Sequence, residues 1–241
     1  MKGYIHSFES LAALDGEGVR YGVFMQGCPL RCVYCHNPDT WCSGGNSFSS
    51  EELVKKVSRY KSYFGKNGGV TFSGGEPLVQ AAFIKDTVQH LKVAGINYAI
   101  DTSGAAGLSE DAKCVLRDAQ LVILDLKFWD DESYKKYTGG SMLAVLNTLD
   151  FLESIKKRVW VRTVVVPGIN DSEECLEKYL ELLKGKKCVE KYELLGFHTM
   201  GFFKYENLGI KNPLKDIKPL PAEALTRLQK FVDKRFKRSL G

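Results

Sequence analysis

Three of the chain's seven cysteines, Cys28, Cys32 and Cys35, fall within eight residues in the spacing Cys-x3-Cys-x2-Cys. Thiolates are soft ligands, and Gly27, Pro29, Asn37 and Pro38 keep the stretch curved, so the three can close around one polymetallic body. A complete four-iron cubane takes four cysteines; three leave one iron open to a small molecule. Zinc competes, since these cysteines with His36 or Cys42 could form a closed tetrahedral site, and a buried cysteine is often only a small apolar side chain. Against zinc, no second cysteine pair stands at finger spacing, and Cys35 and His36 are awkwardly adjacent for one ion.

Further chemistry-bearing residues follow apolar runs. Ser73-Gly74-Gly75-Glu76-Pro77 has two glycines that let a backbone run close against a ligand, although a tight turn would use the same residues. Asp101 and Thr102 close one apolar run. Asp125 and Lys127, two apart at the end of another, share one face and must meet solvent, each other or a ligand. Arg162 interrupts a further run, where a buried acid is its simplest partner and an anionic ligand the alternative. His198, in Gly196-Phe197-His198-Thr199-Met200-Gly201, reads by itself as an ordinary loop histidine.

The elements that must hold these residues alternate. Apolar runs at 21–25, 70–72, 98–100, 121–126, 159–166 and 189–197 are predicted strands. Between them lie predicted helices. Ser49 and Glu52 form a capping box before Leu53, Val57, Tyr60 and Phe64, and Phe83, Ile84, Thr87, Val88 and Leu91 mark a second face. A third helix opens near Ser109, Leu143, Leu146, Leu149 and Leu152 mark a fourth, and Asp171 with Glu174 boxes a fifth. A last helix starts near Pro221, after a Gly- and Pro-punctuated loop at 200–219 that suggests a lid or binding surface. Six strand–helix units imply a parallel sheet with right-handed crossovers, open or curled into a barrel, with ligands at the carboxyl ends of the strands.

Composition narrows the class. At 241 residues, 44% hydrophobic and 26% charged, the chain is expected to form one well-cored domain, neither disordered nor membrane-embedded. It opens without an apolar signal-type run, and its odd, scattered remaining cysteines suit a reducing compartment, so a cytoplasmic protein is expected. The charge of +5 is mild; the run Lys234-Arg235-Phe236-Lys237-Arg238 reads as a solvated helix end, or more sharply as a dock for an acidic electron carrier. Nucleic-acid binding has no motif to support it.

Cys-x3-Cys-x2-Cys followed by Gly-Gly-Glu-Pro closely resembles the radical S-adenosylmethionine (radical SAM) enzymes. Ile100-Asp101-Thr102-Ser103-Gly104 and Leu124-Asp125-Leu126-Lys127 resemble the subgroup that activates glycyl-radical enzymes. The resemblance runs from Ile5 through Val164-Val165-Val166-Pro167-Gly168 to the last helix. It implies an α/β fold, a partial (β/α)6 TIM-like barrel in one domain over 1–241, with the core at about 16–200 and a C-terminal loop and helix after it. It implies a [4Fe-4S] cluster on Cys28, Cys32 and Cys35, and S-adenosylmethionine held by Tyr34, Cys35, His36, Gly74, Gly75, Glu76, Asp101, Asp125, Leu126, Lys127 and His198. A monovalent cation would be framed by Asp101, Thr102 and Asp125. The reaction implied is hydrogen abstraction from a glycine Cα of pyruvate formate-lyase, with reduced flavodoxin or ferredoxin as electron donor, no catalytic side chain beyond the cofactors, and a monomeric enzyme. Related activases often carry a cysteine-rich insert after the first motif, whereas only Cys42 lies between Cys35 and Gly74. The sequence departs from the expected pattern after His198, at Thr199-Met200-Gly201-Phe202-Phe203-Lys204-Tyr205.

Overall fold

Short apolar runs buried on both faces become the parallel strands of one eight-stranded sheet in the computed structural model, which describes residues 1–239 and side chains through Phe236. In chain order the strands are β1 (Lys2–Ala12), β2 (Arg20–Met25), β3 (Asn46–Ser49), β4 (Gly69–Gly74), β5 (Tyr98–Thr102), β6 (Leu121–Asp125), β7 (Val159–Val165) and β8 (Val189–Gly196). The helices are α1 (Ser50–Ser58), α2 (Ala81–Val93), α3 (Glu110–Asp118), α4 (Asp131–Thr138), α5 (Met142–Ser154), α6 (Glu173–Leu183), α7 (Phe202–Asn207) and α8 (Ala222–Ser239). Sheet order is β3-β1-β2-β4-β5-β6-β7-β8. The six strands expected from the apolar runs pair in parallel in chain order, and β1 joins them antiparallel between β2 and β3. The sheet ends do not pair with each other, which makes the expected α/β unit a partial barrel. The free edge of β8 is covered by α8: Leu194 N donates to Gln229 Oε1 (2.8 Å) and Gln229 Nε2 donates to the Tyr192 carbonyl (3.0 Å).

Local signals explain most boundaries. Ser49 and Glu52 form the predicted capping box of α1, and Ser109 caps α3. The α6 cap is Ser172, whose hydroxyl accepts from Cys175 N; the predicted Asp171 instead accepts from Gly168 N in the preceding turn. Leu143 faces solvent, because Met142, Val145, Leu149 and Leu152 are the residues of α5 that meet the core. Four elements escaped the sequence reading: β1, the short β3, α4, and α7, a helix of six residues inside the stretch 200–219 expected to be a loop. β1 is too polar through His6–Ser10 to alternate cleanly, and α4 buries only Tyr134 and Thr138. In the basic run, Arg235 pairs with Glu177 of α6 and lies over Phe231. The side chains of Lys237 and Arg238 lie outside the described residues.

The amino-end of the sheet is closed by Arg20, 1% exposed. Its guanidinium donates to Thr71 Oγ1 (3.0 Å), the Asn67 carbonyl (3.0 Å), Asn97 Oδ1 (3.0 Å), Gln120 Oε1 (3.2 Å) and the Val70 carbonyl (2.6 Å). Burial pulls its pKa down to about 10, and nearby Glu17 and Asp15 oppose that. Arg20→Met will leave these acceptors without a donor in a dry interior. Losing a buried, multiply bonded cation costs about 3–5 kcal/mol. Urea unfolding will show a lower midpoint with an unchanged slope.

Candidate active site

The expected site residues gather where β2, β4, β5, β6 and β7 end. After β2 the chain enters the cysteine loop, which backbone bonds hold from two sides: Gly27 N donates to the Thr40 carbonyl (2.8 Å), while Arg31 N and Val33 N donate to the carbonyls of Thr138 (2.7 Å) and Tyr137 (2.9 Å) at the end of α4. Arg31 Nη1 also donates to the Cys28 (2.8 Å) and Leu30 (2.7 Å) carbonyls. These main-chain bonds shape the loop without involving the thiols. Cys28, Cys32 and Cys35 all line one cavity of about 240 Å³. Burial pushes the Cys28 thiol up to about 11 and Cys32 to about 12, so metal binding must displace protons. Among the described residues no three His, Cys, Asp or Glu side chains converge on a single metal ion. The three thiols line a common cavity, and as soft donors they suit a polymetallic body.

Gly75 packs against that loop. A Cβ there would lie 2.3 Å from the Gly27 carbonyl oxygen and 3.3 Å from Cys28 Cβ, so only glycine fits without displacing backbone. Gly75 N donates to the Met25 carbonyl (3.0 Å) and Glu76 N to the Gly27 carbonyl (2.8 Å), which fixes the Gly-Gly segment to the end of β2. Glu76 itself turns away from the cavity and is fully buried. Its carboxylate accepts from Leu78 N (3.0 Å), Thr102 Oγ1 (2.6 Å), Ser103 N (2.8 Å) and Ser103 Oγ (2.5 Å). Desolvation raises its pKa despite these bonds, which favour the charged form. The side chain of Thr102 is engaged there and faces Glu76.

Asp101, Asp125, Lys127 and Arg162 contribute the charged part of the cavity lining. Lys127 Nζ donates to Asp125 Oδ2 at 2.8 Å. Burial is the largest single influence and disfavours the ammonium, but Asp125 together with the nearby Cys32, Tyr34 and Tyr134 outweighs it and holds the Lys127 pKa well above its usual value. Asp101 accepts from Ser73 Oγ (2.7 Å); burial and the Asp125 charge push its pKa up to about 7, against the pull of Arg162. Arg162 makes the ion pair expected of it, to Glu193 Oε2 at 3.0 Å, and also lines the cavity. Leu126 is core, with its carbonyl accepting from Thr163 Oγ1 (2.7 Å).

His36 lines the cavity and stacks on His198, ring centroids 3.7 Å apart and planes 18° from parallel. Burial, with His198 alongside, pulls the His36 pKa down to about 4; burial lowers His198 too, and both rings are neutral at pH 7. The segment after His198, where the sequence departs from the expected pattern, latches onto the cysteine loop. Tyr205 Oη donates to the Cys35 carbonyl (3.0 Å), and Lys204 Nζ reaches Asn37 Oδ1 (2.8 Å) and Asp39 Oδ2 (2.9 Å). A Cβ on Gly201 would sit 2.5 Å from the His36 carbonyl oxygen. No local pattern signals this contact, because its two halves are more than 160 residues apart.

The cavity also takes in Ser73, Ser103, Trp41, Val164 and Leu195, none of them a predicted site residue. Buried polar atoms without a partner include Tyr34 Oη and His198 Nδ1. Three thiols, a carboxylate–ammonium pair, neutral stacked imidazoles and apolar walls fit a cluster together with a nucleoside that carries a zwitterionic amino-acid group. Cys42 stands outside this set: it is exposed, and Gln26 Nε2 holds it through its backbone carbonyl (2.9 Å). Cys42→Ala will therefore retain the iron and sulfide content of the wild type, as checked on anaerobically purified protein.

The Radical SAM superfamily profile matches residues 23–183. The chain is 45% identical over 233 residues to the pyruvate formate-lyase-activating enzyme of Clostridium pasteurianum, spanning 95% of this chain and 97% of that one. It is 40% identical over 243 residues to the protein of that name in Staphylococcus epidermidis, covering 97% and 96% of the two. Among solved structures, a domain of the pyruvate-formate lyase-activating enzyme from Bacteroides vulgatus superposes with a TM-score of 0.57 at 22% identity, covering 70% of this chain and 94% of that one. Streptococcus suis SuiB, bound to its precursor peptide, gives 0.67 at 15% identity, covering 88% and 44%. These two likenesses bear on the fold alone. Among the described residues no helix is long and apolar enough to cross a membrane. The profile match and the near full-length identity place the chain in the radical SAM superfamily, and within it the chain belongs to the pyruvate formate-lyase-activating enzymes.

Proposed function

We propose that the chain is a glycyl-radical activase whose protein substrate is pyruvate formate-lyase. The observation that carries this reading is the convergence on one cavity of three loop thiols, the Gly74–Gly75 backbone and the Asp125–Lys127 pair, in a chain whose curated relatives bear that enzyme's name. Cys28, Cys32 and Cys35 would hold a [4Fe-4S] cluster. Gly74 and Gly75 offer main-chain groups to the methionine end of S-adenosylmethionine, and Lys127 and Asp125 complement its carboxylate and amino groups. Tyr34 and the His36–His198 stack supply the surface for the adenosyl end. When bound, the two cofactors supply reductive cleavage of the sulfonium and a 5′-deoxyadenosyl radical that takes hydrogen from a glycine Cα.

The chain's own contribution is placement and exclusion. Arg162 stays paired with Glu193, and Asp101 is held by the Ser73 hydroxyl. Val164 and Leu195 keep part of the wall apolar, which limits water around a reactive carbon. Glu76 and Thr102 act at one remove by fixing the ends of β4 and β5. A monovalent cation between Asp101 and Asp125, a reduced flavodoxin or ferredoxin as donor, a monomeric state and a cytoplasmic location complete the proposal.

The test is direct. Anaerobically purified protein should be brown and contain iron and sulfide; a colourless protein with one zinc per chain would overturn the assignment. Incubation with reductant, S-adenosylmethionine and pyruvate formate-lyase should generate a glycyl radical by electron paramagnetic resonance. Its absence, with the cluster present, would refute the assigned target.

A further inference from the structure

The cysteine loop lines the cavity and also lies against the last turn of α4. Arg31 and Val33 flank Cys32 in sequence, and their N–H groups donate to the Thr138 and Tyr137 carbonyls at 2.7 and 2.9 Å, so two main-chain bonds to that turn bracket Cys32. The approach is tight: a Cβ on Gly140 would lie 2.4 Å from Leu30 Cδ2. A route of rings runs beside the backbone one. Half-buried Tyr137, which does not line the cavity, stacks on buried Phe128 with centroids 4.8 Å apart and planes 21° from parallel; Phe128 stands 6.3 Å from Tyr34, which does line it. The surface around this contact is positive. Arg31, Lys135 and Lys136 are exposed, and Lys136 Nζ lies 4.8 Å from the centroid of the Tyr137 ring. Arg31 Nη1 is braced by the Cys28 and Leu30 carbonyls, and a Cβ on Gly139 would lie 3.9 Å from Arg31 Cβ, which sets that side chain beside the turn. Among the described residues none of the three cations forms an ion pair. The acids that open α4 are largely engaged: Asp130 accepts from Ser133 N (2.7 Å) and Asp131 from Met142 N (3.1 Å), which leaves Glu132 a turn before Lys136.

We infer that this face, with Arg31, Lys135 and Lys136 around Tyr137, docks the acidic one-electron carrier protein that reduces the cluster. The inference rests on the proposed role of Cys32 as a cluster ligand. One electron leaves the carrier and enters the cluster, and no bond forms or breaks. Such a transfer needs a short, well-coupled path rather than contact with the reacting atoms. The two hydrogen bonds beside Cys32 and the rings of Tyr137, Phe128 and Tyr34 provide one that starts outside the cavity. The cavity is thereby left to S-adenosylmethionine and the protein substrate. Cations without acidic partners attract an acidic surface, speed its encounter and orient it, an effect that salt weakens.

The experiment measures the affinity of the cluster-loaded enzyme for flavodoxin and, in a parallel series, for ferredoxin, by anaerobic calorimetry at low salt, with iron and sulfide determined on each sample. The wild type should bind at least one carrier, more weakly as salt rises. The double variant Lys135→Glu, Lys136→Glu should bind that carrier about ten- to a hundredfold more weakly at low salt, and Lys135→Gln, Lys136→Gln should fall between. Formation of 5′-deoxyadenosine driven by the reduced carrier should drop in parallel, whereas that driven by photoreduced 5-deazariboflavin, a small reductant that needs no dock, should stay within about twofold of wild type. A matched control, Lys230→Glu, Lys234→Glu on α8, changes the net charge equally at two other exposed lysines and should bind like the wild type. Equal losses in the two charge reversals, a loss confined to the α8 variant, or a wild type that binds neither carrier would overturn the dock while the proposed function stands. A wild-type protein lacking iron and sulfide would sink that function as well.

Discussion

Cys32→Ser will strip the protein of its cluster and of measurable activation, a loss of at least about a thousandfold in the glycyl-radical assay, while leaving the fold in place. Cys32 is the most enclosed of the three loop thiols, with a relative exposure of 7% and a pKa pushed by burial to about 12. A serine hydroxyl is a hard donor that ionises still less readily, so iron loses a ligand that no neighbour can replace. Cys42 is exposed and off the cavity, and His36 is stacked on His198 with Nε2 within hydrogen-bond distance of the His198 carbonyl (3.1 Å). Iron per chain should fall from about four to well below one. The loop keeps its shape because the bonds from Arg31 N and Val33 N to α4 are main-chain bonds, independent of the thiol. Metal-free Cys32→Ser should therefore unfold within about 1 kcal/mol of the metal-free wild type.

That separation of loop shape from metal ligation also explains what the sequence could and could not reveal. The cysteine spacing, the glycine pair and the Asp125–Lys127 doublet are local patterns, each readable within a few residues. The alternation of apolar runs with capped helices then puts all three at the carboxyl ends of strands. The parallel strands were legible for the same reason: runs such as Leu121–Leu124 are buried on both faces and carry almost no polar residue. What stayed hidden depends on contacts between distant segments. β1 is recruited by pairing with β2 and β3 rather than by its own pattern, and the acceptors that hold Arg20 come from three separate stretches, at 67–71, 97 and 120. The latch of Tyr205 and Lys204 on the cysteine loop is of the same kind. Glu76 is the instructive case. Its motif marks the right place, but the direction of the side chain is set by β5, which brings Thr102 and Ser103 to it.

Glu76→Ala should accordingly be among the most destabilising single changes in the chain, although the residue does not reach the cavity. Truncation leaves two main-chain N–H groups, at Leu78 and Ser103, and two hydroxyls without their acceptor in a dry interior, together with a void where the carboxylate stood. Each orphaned buried donor costs about 1–3 kcal/mol where water cannot enter, and the hydroxyls can turn to partial substitutes, so a total of about 3–5 kcal/mol is expected. Glu76→Gln separates charge from shape. The amide retains one acceptor oxygen but sets an N–H₂ group against a main-chain donor, and a smaller loss of about 1–3 kcal/mol should follow. Because Glu76 N remains bonded to the Gly27 carbonyl in both variants, Glu76→Gln should keep its full complement of iron while binding S-adenosylmethionine more weakly, through a loosened Gly74–Gly75 segment. Urea unfolding of the metal-free variants and an S-adenosylmethionine titration of the loaded Glu76→Gln protein measure the two effects separately. A carboxylate that bound S-adenosylmethionine directly would reverse the pattern, with little loss of stability and near-complete loss of binding in the glutamine variant.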